Sequence, residues 1–396
     1  MAARLETFLL REWQRVSAWQ VLLQPLSWIF RSLVWSRRQA FALGIFHSRR
    51  IRYSVGNPVG NPVGGQVGGP VRCPIIVVGN ISVGGTGKTP LVLALVCYLQ
   101  QQKKMPGILT RGYMPKSGWK LAISPTIIHV VSDASAQDNP ALPDEAMLLS
   151  ERSCVPVFAG ANRVAAGARL LQDFPATDLL VCDDGLQHYA MQRDVEIVVV
   201  DASRGFGNGF CLPAGPLRES LSRLAQVDCI VLNCASIDGH LETKMPEESR
   251  PAVSLRGQLS SLGLPVFEMT YADARMQRLA VELREVESLS PLAFCDLHRG
   301  RRIVAVAGIG NPGRFFDHLR SLGLVLQNQV AFPDHHRFAI SDLRNIEADV
   351  ILMTEKDAVK CRQFAAVDQR LWSMRIDAKL PATFYEFVLK KATHVT

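Results

Sequence analysis

The chain predicts an α/β fold: a parallel sheet with helices on both faces, followed by a smaller α/β domain. Three observations carry this. Apolar, β-branched runs at Ile75–Val78, Leu179–Cys182, Val195–Val200, Cys229–Leu232, Ile303–Ala307 and Val350–Met353 alternate with helix-length stretches. Strands covered on both faces read as such continuous runs. Several of the runs end in turn or acidic residues, among them Gly79-Asn80, Asp183-Asp184, Asp201 and Asn233. At 396 residues, 48% hydrophobic and 20% charged, the chain has room for two globular domains.

The first run feeds Gly79-Asn80-Ile81-Ser82-Val83-Gly84-Gly85-Thr86-Gly87-Lys88-Thr89-Pro90, and Leu91, Ala94, Leu95 and Leu99 then recur at helical spacing. A glycine-rich turn ending in Gly-Lys-Thr between strand and helix is a phosphate-cradling P-loop. Gly84, Gly85 and Gly87 let backbone N–H groups turn inward without Cβ clashes. The ATP-binding stretch is read as Ser82, Val83, Gly84, Gly85, Thr86, Gly87, Lys88 and Thr89, with Lys88 on the β/γ-phosphates and the Thr89 hydroxyl on Mg²⁺. Ser82 stands where the usual pattern has its first glycine. Downstream, Leu179–Cys182 running into Asp183 is the Walker B arrangement, whose carboxylate can hold Mg²⁺ directly or through water.

Other segments supply candidates of less specific kind. Gly107–Thr110 ends at Arg111-Gly112-Tyr113, where Arg111 could meet an anionic substrate or simply be exposed. Pro143-Asp144-Glu145 opens a helix with acids in its first turn, which the helix dipole alone would favour. Val155–Ala159 leads to Gly160 and Arg163. The Gly- and Pro-rich stretch Arg204–Glu219 predicts a long shaped loop at the C-terminal edge of the sheet. Ile303–Ala307 enters Gly308-Ile309-Gly310-Asn311-Pro312-Gly313, with Asp334 further on; this formally fits a dinucleotide fingerprint, but a tight turn packing the second domain against the first is the preferred reading. His335 and His336 follow Asp334 without a third or fourth metal ligand at suitable spacing. In phosphoryl transfer one of them can orient a catalytic carboxylate. Thr354-Glu355-Lys356-Asp357 is not a guanine reader, which argues against a GTP switch.

The formal charge of +8 and pI near 9.1 fit nucleic acid, an anionic membrane or an acidic substrate without choosing. Nine cysteines without a C-x-x-C pair suggest neither zinc nor disulfides, and Cys182 and Cys229 within strands fit a reducing cytoplasm. Residues 1–55 differ from the rest. Trp13, Trp19, Trp28 and Trp35 mix with Leu22, Leu23, Leu26, Ile29, Phe30, Leu33 and Val34, punctuated by Arg31, Arg37 and Arg38. Pro25 and Arg31 argue against a clean membrane span, and an amphipathic helix in the headgroup region is expected. A helix packed on the protein's own core is the other reading. Residues 56–70, a Gly-Asn-Pro-Val repeat, are expected to form a linker. A kinase-type domain is then expected over 71–295 and a smaller α/β domain over 296–396.

Gly79–Pro90, Arg111-Gly112-Tyr113, Asp144-Glu145, Asp183-Asp184-Gly185-Leu186-Gln187-His188 and the Arg204–Glu219 loop together resemble the tetraacyldisaccharide 4′-kinase (lipid A 4′-kinase) family. The likeness continues through Ala307–Pro312, Pro333–His336 and Thr354–Asp357. The resemblance implies transfer of the γ-phosphoryl group of ATP to the 4′-hydroxyl of a tetraacyldisaccharide 1-phosphate, with Mg²⁺ on Thr89, Asp183 and Glu219. It implies Asp144 as general base paired with His335 across an interdomain cleft, and Asp183 and Lys88 in the catalytic set. Arg111, Arg163, Asp184, Gln187 and His188 become substrate-side candidates. The implied partners are a membrane-embedded glycolipid and an anionic membrane surface, without nucleic acid, at the cytoplasmic face of the bacterial inner membrane. Two other readings stay open: a soluble P-loop kinase for a small metabolite, and a nucleotide-binding regulator with a dinucleotide-type second domain.

Overall fold

The computed structural model describes residues 9, 12–53, 71–111, 128–130, 143–234, 251–272, 274–281 and 286–393. The repeat at 56–70, Gly112-Tyr113 and the polar stretch 237–250 lie outside them. Among the described residues the strands are β1 (Arg52–Tyr53), β2 (Val71–Arg72), β3 (Ile75–Gly79), β4 (Pro106–Thr110), β5 (Ile128–Val130), β6 (Val157–Ala159), β7 (Leu179–Asp183), β8 (Val195–Asp201), β9 (Cys229–Asn233), β10 (Val266–Tyr271), β11 (Arg275–Arg278), β12 (Ser288–Leu289), β13 (Ile303–Ala307), β14 (Asn328–Ala331), β15 (Val350–Thr354), β16 (Leu371–Arg375) and β17 (Ala378–Lys379). The helices are α1 (Ala18–Ala42), α2 (Lys88–Gln101), α3 (Asp144–Ser153), α4 (Arg163–Asp173), α5 (Pro251–Ser260), α6 (Pro291–Leu297), α7 (Pro312–Ser321), α8 (Ile340–Arg344), α9 (Glu355–Cys361) and α10 (Ala382–Thr393).

The larger sheet runs β17-β10-β9-β8-β3-β7-β4-β6-β5 and is parallel except where β5 and β17 join antiparallel at its edges. Alternation within β3 shows why it needs cover on both sides. Ile76 and Val78 meet Leu91, Leu95 and Leu99 of α2 and Phe384 and Val388 of α10, while Ile75 and Val77 meet Ala166, Leu170 and Leu171 of α4. The smaller sheet runs β12-β11-β16-β15-β13-β14 and is likewise covered on both faces, by Phe315, Phe316 and Leu319 of α7 on one side and Ala358 and Cys361 of α9 on the other. Its strands come from Arg275 to Arg375, after which β17 and α10 return the chain to the larger sheet.

Packing is tight where β3 turns into the glycine-rich loop. A Cβ on Gly79 would stand 2.5 Å from Leu186 Cβ and 3.2 Å from its backbone nitrogen. Gly79→Ala should therefore cost about 1–3 kcal/mol, as overpacking of a filled site does. Urea unfolding with an unchanged m-value and a lower midpoint would register it; an unaltered midpoint would contradict this packing.

α1 docks in an unusual sense. Pro25 lies inside it without ending it. Its buried residues are the polar Gln20 and Ser27, and the Ser27 hydroxyl donates to Cys211 O (2.6 Å) and accepts from Ala214 N (3.1 Å). Just before the helix, Trp13 Nε1 donates to Pro213 O at 3.0 Å. Away from these contacts Trp19, Leu22, Leu26, Trp28, Ile29, Leu33 and Trp35 are exposed, Leu22 at 73%, with Trp28 and Trp35 beside the 209–222 loop. No helix among the described residues is long and apolar enough to cross a membrane.

Candidate active site

Parallel pairing gathers functional ends at one edge of the larger sheet. β3 ends in the P-loop, and its neighbours β7, β8 and, one strand further, β9 end in Asp183, Asp201 and Asn233. Val78 is in register with Asp183, so the carboxylate sits beside the root of the loop. Gly84 and Gly87 hold φ of 99° and 93°, values that need glycine, and a Cβ on Gly87 would meet Asn233 Nδ2 at 2.5 Å. Ser82 forms a bridge with Leu217, an extended position any residue adopts, which accounts for the missing first glycine. The Arg204–Glu219 loop runs along the P-loop, with Val83 N donating to Pro216 O (2.8 Å) and Arg218 N to Ile81 O (2.6 Å).

Lys88 Nζ donates to Asn80 Oδ1 at 3.1 Å and pairs with Asp184 Oδ1 at 3.3 Å. Asp184, in the left-handed region at φ 48°, also takes Arg218 at 3.3 Å. Burial would raise its carboxyl, but Lys88 and Arg218 outweigh that and hold it below the usual range. Asp184 thus stands on the nucleotide side of the site rather than free for an acceptor. Asp183 is buried, and its Oδ1 has no hydrogen-bond partner among the described residues. Burial, reinforced by Glu145, pushes it up to about 7. A buried carboxylate oxygen without a donor fits a divalent cation at this position.

Two expected roles change on the geometry. Glu219 is buried, and both its oxygens accept protein hydrogens: Gln187 Nε2 at 2.9 Å on one, the Tyr189 hydroxyl on the other. Its contacts are those of an internal brace, not a metal ligand. Gln187 in turn donates to Asn80 O at 3.1 Å, so the brace reaches the P-loop. Arg163 is 3% exposed and donates to its own Gly160 carbonyl at 2.7 Å, which removes it from any surface a lipid phosphate could touch. Its charge acts instead on Asp183 and Cys182. His188 Nε2 is buried without a partner among the described residues; burial and then Arg163 push its pKa down to about 4. Arg111 is exposed at the end of β4.

Across the cleft, the smaller sheet delivers the second half. His335 Nδ1 lies 3.2 Å from Asp144 Oδ2. Burial would raise Asp144, yet the His335 hydrogen bond and then Lys360 and Lys356 bring it below the usual carboxylate range. The same hydrogen bond raises His335. His335 holds φ 58°, a strained backbone for a non-glycine residue, and its N–H donates to Gly308 O at 3.2 Å. Gly308 N in turn donates to Asp357 Oδ2 at 2.9 Å. The Gly308–Gly313 turn therefore serves to mount His335 and Asp357 within the second domain. The two halves are bound by Arg152–Glu355 and Arg362–Glu151 (2.7 Å) between α3 and the α9 region, and by Arg314–Asp201 at 2.6 Å.

Sequence reasoning gave no site role to Asn80, Asp201, Arg204, Arg314, Lys356 and Lys360. Asn80 and Asp201 left a signal as strand-end residues and Arg204 as the start of the Gly- and Pro-rich loop, while the two lysines stand four residues apart on one short helix after Thr354.

A family model described as tetraacyldisaccharide-1-P 4′-kinase (LpxK) matches residues 67–393. The chain is 38% identical over 400 residues to the tetraacyldisaccharide 4′-kinase of Methylobacillus flagellatus, covering 100% of this chain and 98% of that one. It is 42% identical over 319 residues to the enzyme of the same name from Dechloromonas aromatica, covering 80% and 84% of the two chains. Among solved structures, the crystal structure of LpxK from Aquifex aeolicus in complex with ATP superposes with a TM-score of 0.67 at 23% identity, covering 94% of this chain and 99% of that one, which supports the fold. With its nucleotide loop, buried aspartate and facing carboxylate–histidine pair, the chain belongs to the tetraacyldisaccharide 4′-kinase family.

Proposed function

We propose that this protein transfers the γ-phosphoryl group of ATP to the 4′-hydroxyl of a tetraacyldisaccharide 1-phosphate, a step of lipid A biosynthesis. The observation carrying this reading is that a hydrogen-bonded Asp144–His335 pair stands at the start of α3, a helix packed in one core with α2, which the P-loop opens. P-loop amides and Lys88 hold the phosphates, and Lys88 leaves Asn80 and Asp184 to do so. Asp144 accepts the hydroxyl proton as that oxygen bonds to phosphorus and the bond to the β-phosphate oxygen breaks. His335 orients Asp144 and balances its charge. Mg²⁺, held by Asp183 and Thr89, would neutralise charge on the β- and γ-oxygens. Gln187 and His188 are kept as candidates for the acceptor side, and Glu219 braces Gln187. Arg111 remains a candidate for the anionic headgroup, and Arg163 tunes Asp183 from below. The boundary expected at residue 295 moves: the smaller α/β part takes the strands from Arg275 to Arg375, β17 and α10 belong with the larger part, and the cleft lies between the two.

The test is ATP-dependent transfer of labelled phosphate to tetraacyldisaccharide 1-phosphate in detergent micelles. Absence of transfer by folded, ATP-binding protein would refute the reading in favour of a soluble acceptor.

The same reading places the enzyme on the cytoplasmic face of the inner membrane, held by α1. A helix packed on its own core buries its apolar stripe. Here the polar side is buried and the tryptophan- and leucine-rich side faces out, the sense expected of a helix lying in a headgroup region. Arg31 and Arg38 line a groove of about 830 Å³ between α1 and the 209–222 loop, suited to an anionic glycolipid. Leu22→Asp with Leu33→Asp should weaken co-sedimentation with phosphatidylglycerol vesicles by at least about tenfold, since each buried leucine contributes roughly 1.5–3 kcal/mol. Unchanged binding by the double variant would remove α1 as the anchor.

A further inference from the structure

We propose that Lys360 is a positioning residue for phosphoryl transfer: its ammonium holds Asp144 by Oδ2 and leaves Oδ1 for the acceptor hydroxyl. This rests on Asp144 being the base.

Lys360 Nζ lies 3.5 Å from Asp144 Oδ2 and 2.7 Å from Asp357 Oδ1, with its side chain only 10% exposed. The Phe338 ring covers the ammonium at 5.2 Å. Asp357 is fully buried and fixed, its Oδ2 accepting from Gly308 N (2.9 Å) and the Thr354 hydroxyl (2.7 Å). The lysine is therefore a rigid strut rooted in the second domain and ending on a carboxylate of the first. Asp144 Oδ2 takes the hydrogen bond of His335 and faces the Lys360 ammonium at 3.5 Å as an ion pair, whereas no described residue hydrogen-bonds Oδ1. A hydrogen bond and an ammonium charge directed at the same oxygen favour one rotation of the carboxylate, so the other oxygen is the one available to take a proton. A buried ammonium is costly unless paired, and Asp357 alone would pair it. The approach to a second carboxylate across the cleft is what an internal ion pair does not require.

The charged and titratable groups facing this centre are Glu145 on α3, Lys356, Asp357 and Cys361 on α9, Asp334 and His335 on the preceding turn, and Asp342 on α8 beside Cys361 and His336. Lys356 leans toward Glu145 (3.5 Å) and Asp334 (3.7 Å), so Lys360 is the lysine in ion-pair range of Asp144. Removing it takes a positive charge from a base that must be ionised, so the acid limb of the rate profile moves to higher pH.

The experiment measures kcat and the KM for ATP across pH with the full chain in micelles containing tetraacyldisaccharide 1-phosphate. Wild type is compared with Lys360→Met, Lys360→Arg, Asp144→Asn and the Lys360→Met/Asp144→Asn double variant. Lys360→Met should lower kcat about 10- to 100-fold, as misplacement of a reacting group does. The KM for ATP should stay unchanged, the acid limb should move upward in pH, and Lys360→Arg should restore most of the rate. In the Asp144→Asn background the same change should add no further loss. Wild-type kcat and pH limb in Lys360→Met would overturn the proposal, as would an equal loss in the Asp144→Asn background, which marks a merely structural lysine. If Lys360→Met does not fold, Lys360→Gln, which keeps a donor for Asp357, carries the same expectations. Full activity in Asp144→Asn would instead remove the base assignment, which separates the two failures.

Discussion

Asp144→Asn is expected to lower kcat by about 10²–10⁴-fold, the usual contribution of a positioned general base. The amide keeps the shape of the carboxylate and can still meet His335 Nδ1 and the Lys360 ammonium through its oxygen, so the fold and the nucleotide site should survive. The effect belongs in kcat with labelled phosphate transfer as readout, and the KM for ATP should stay near wild type. His335→Asn should reproduce part of this loss, because the hydrogen bond from His335 is the largest influence lowering the Asp144 carboxyl against its burial. Combined with Asp144→Asn it should add little, since the pair acts as a unit. Near-wild-type transfer by Asp144→Asn would move the base to Asp183, the other carboxylate of the cleft.

Lys88→Ala is expected to cost about 10²–10³-fold in kcat, as loss of one preorganised donor to developing charge does. ATP binding should weaken with it, detectable by titration calorimetry. The substitution also releases Asn80 and Asp184, which Lys88 holds at 3.1 and 3.3 Å. Arg218 remains on Asp184, so the melting temperature should change little. Transfer within tenfold of wild type would show that the phosphates are carried by backbone amides alone.

What was legible in the sequence divides by the range of the signal. The central strands β3, β7, β8, β9, β13 and β15 were legible because being covered on two faces demands unbroken apolar runs, and the P-loop because its chemistry needs adjacent residues in a fixed order; β10, β11, β12, β16 and β17, short or mixed with charged residues, were not. Asp183 was legible as the last residue of such a run. The brace role of Glu219 was not, because its partners Gln187 and Tyr189 stand about thirty residues away and only the folded loop brings them together. The burial of Arg163 was hidden for the same reason: an arginine opening a helix looks exposed until the neighbouring strand end is in place. For α1, composition exposed an amphipathic stripe but not which side faces the protein. That depended on Ser27 and Gln20 finding backbone partners, which hydropathy does not encode. The Lys360–Asp144 contact joins residues 216 positions apart across two sheets, and nothing local announces it.

The return of the chain through β17 has a mechanical meaning. β10 leads out to the smaller sheet and β17 leads back, paired antiparallel through Thr270–Lys379 and Tyr271–Ala378, with Ala272 N donating to Asp377 O at 2.8 Å. The second domain is therefore carried on a two-stranded stalk, both of its covalent connections emerging from one edge of the larger sheet. Asp144 belongs to the larger part, and His335 and Lys360 belong to the part carried by this ribbon. The contacts that join them therefore close a loop whose covalent path runs through a single sheet edge, so the spacing of the three side chains is set by how that ribbon is seated.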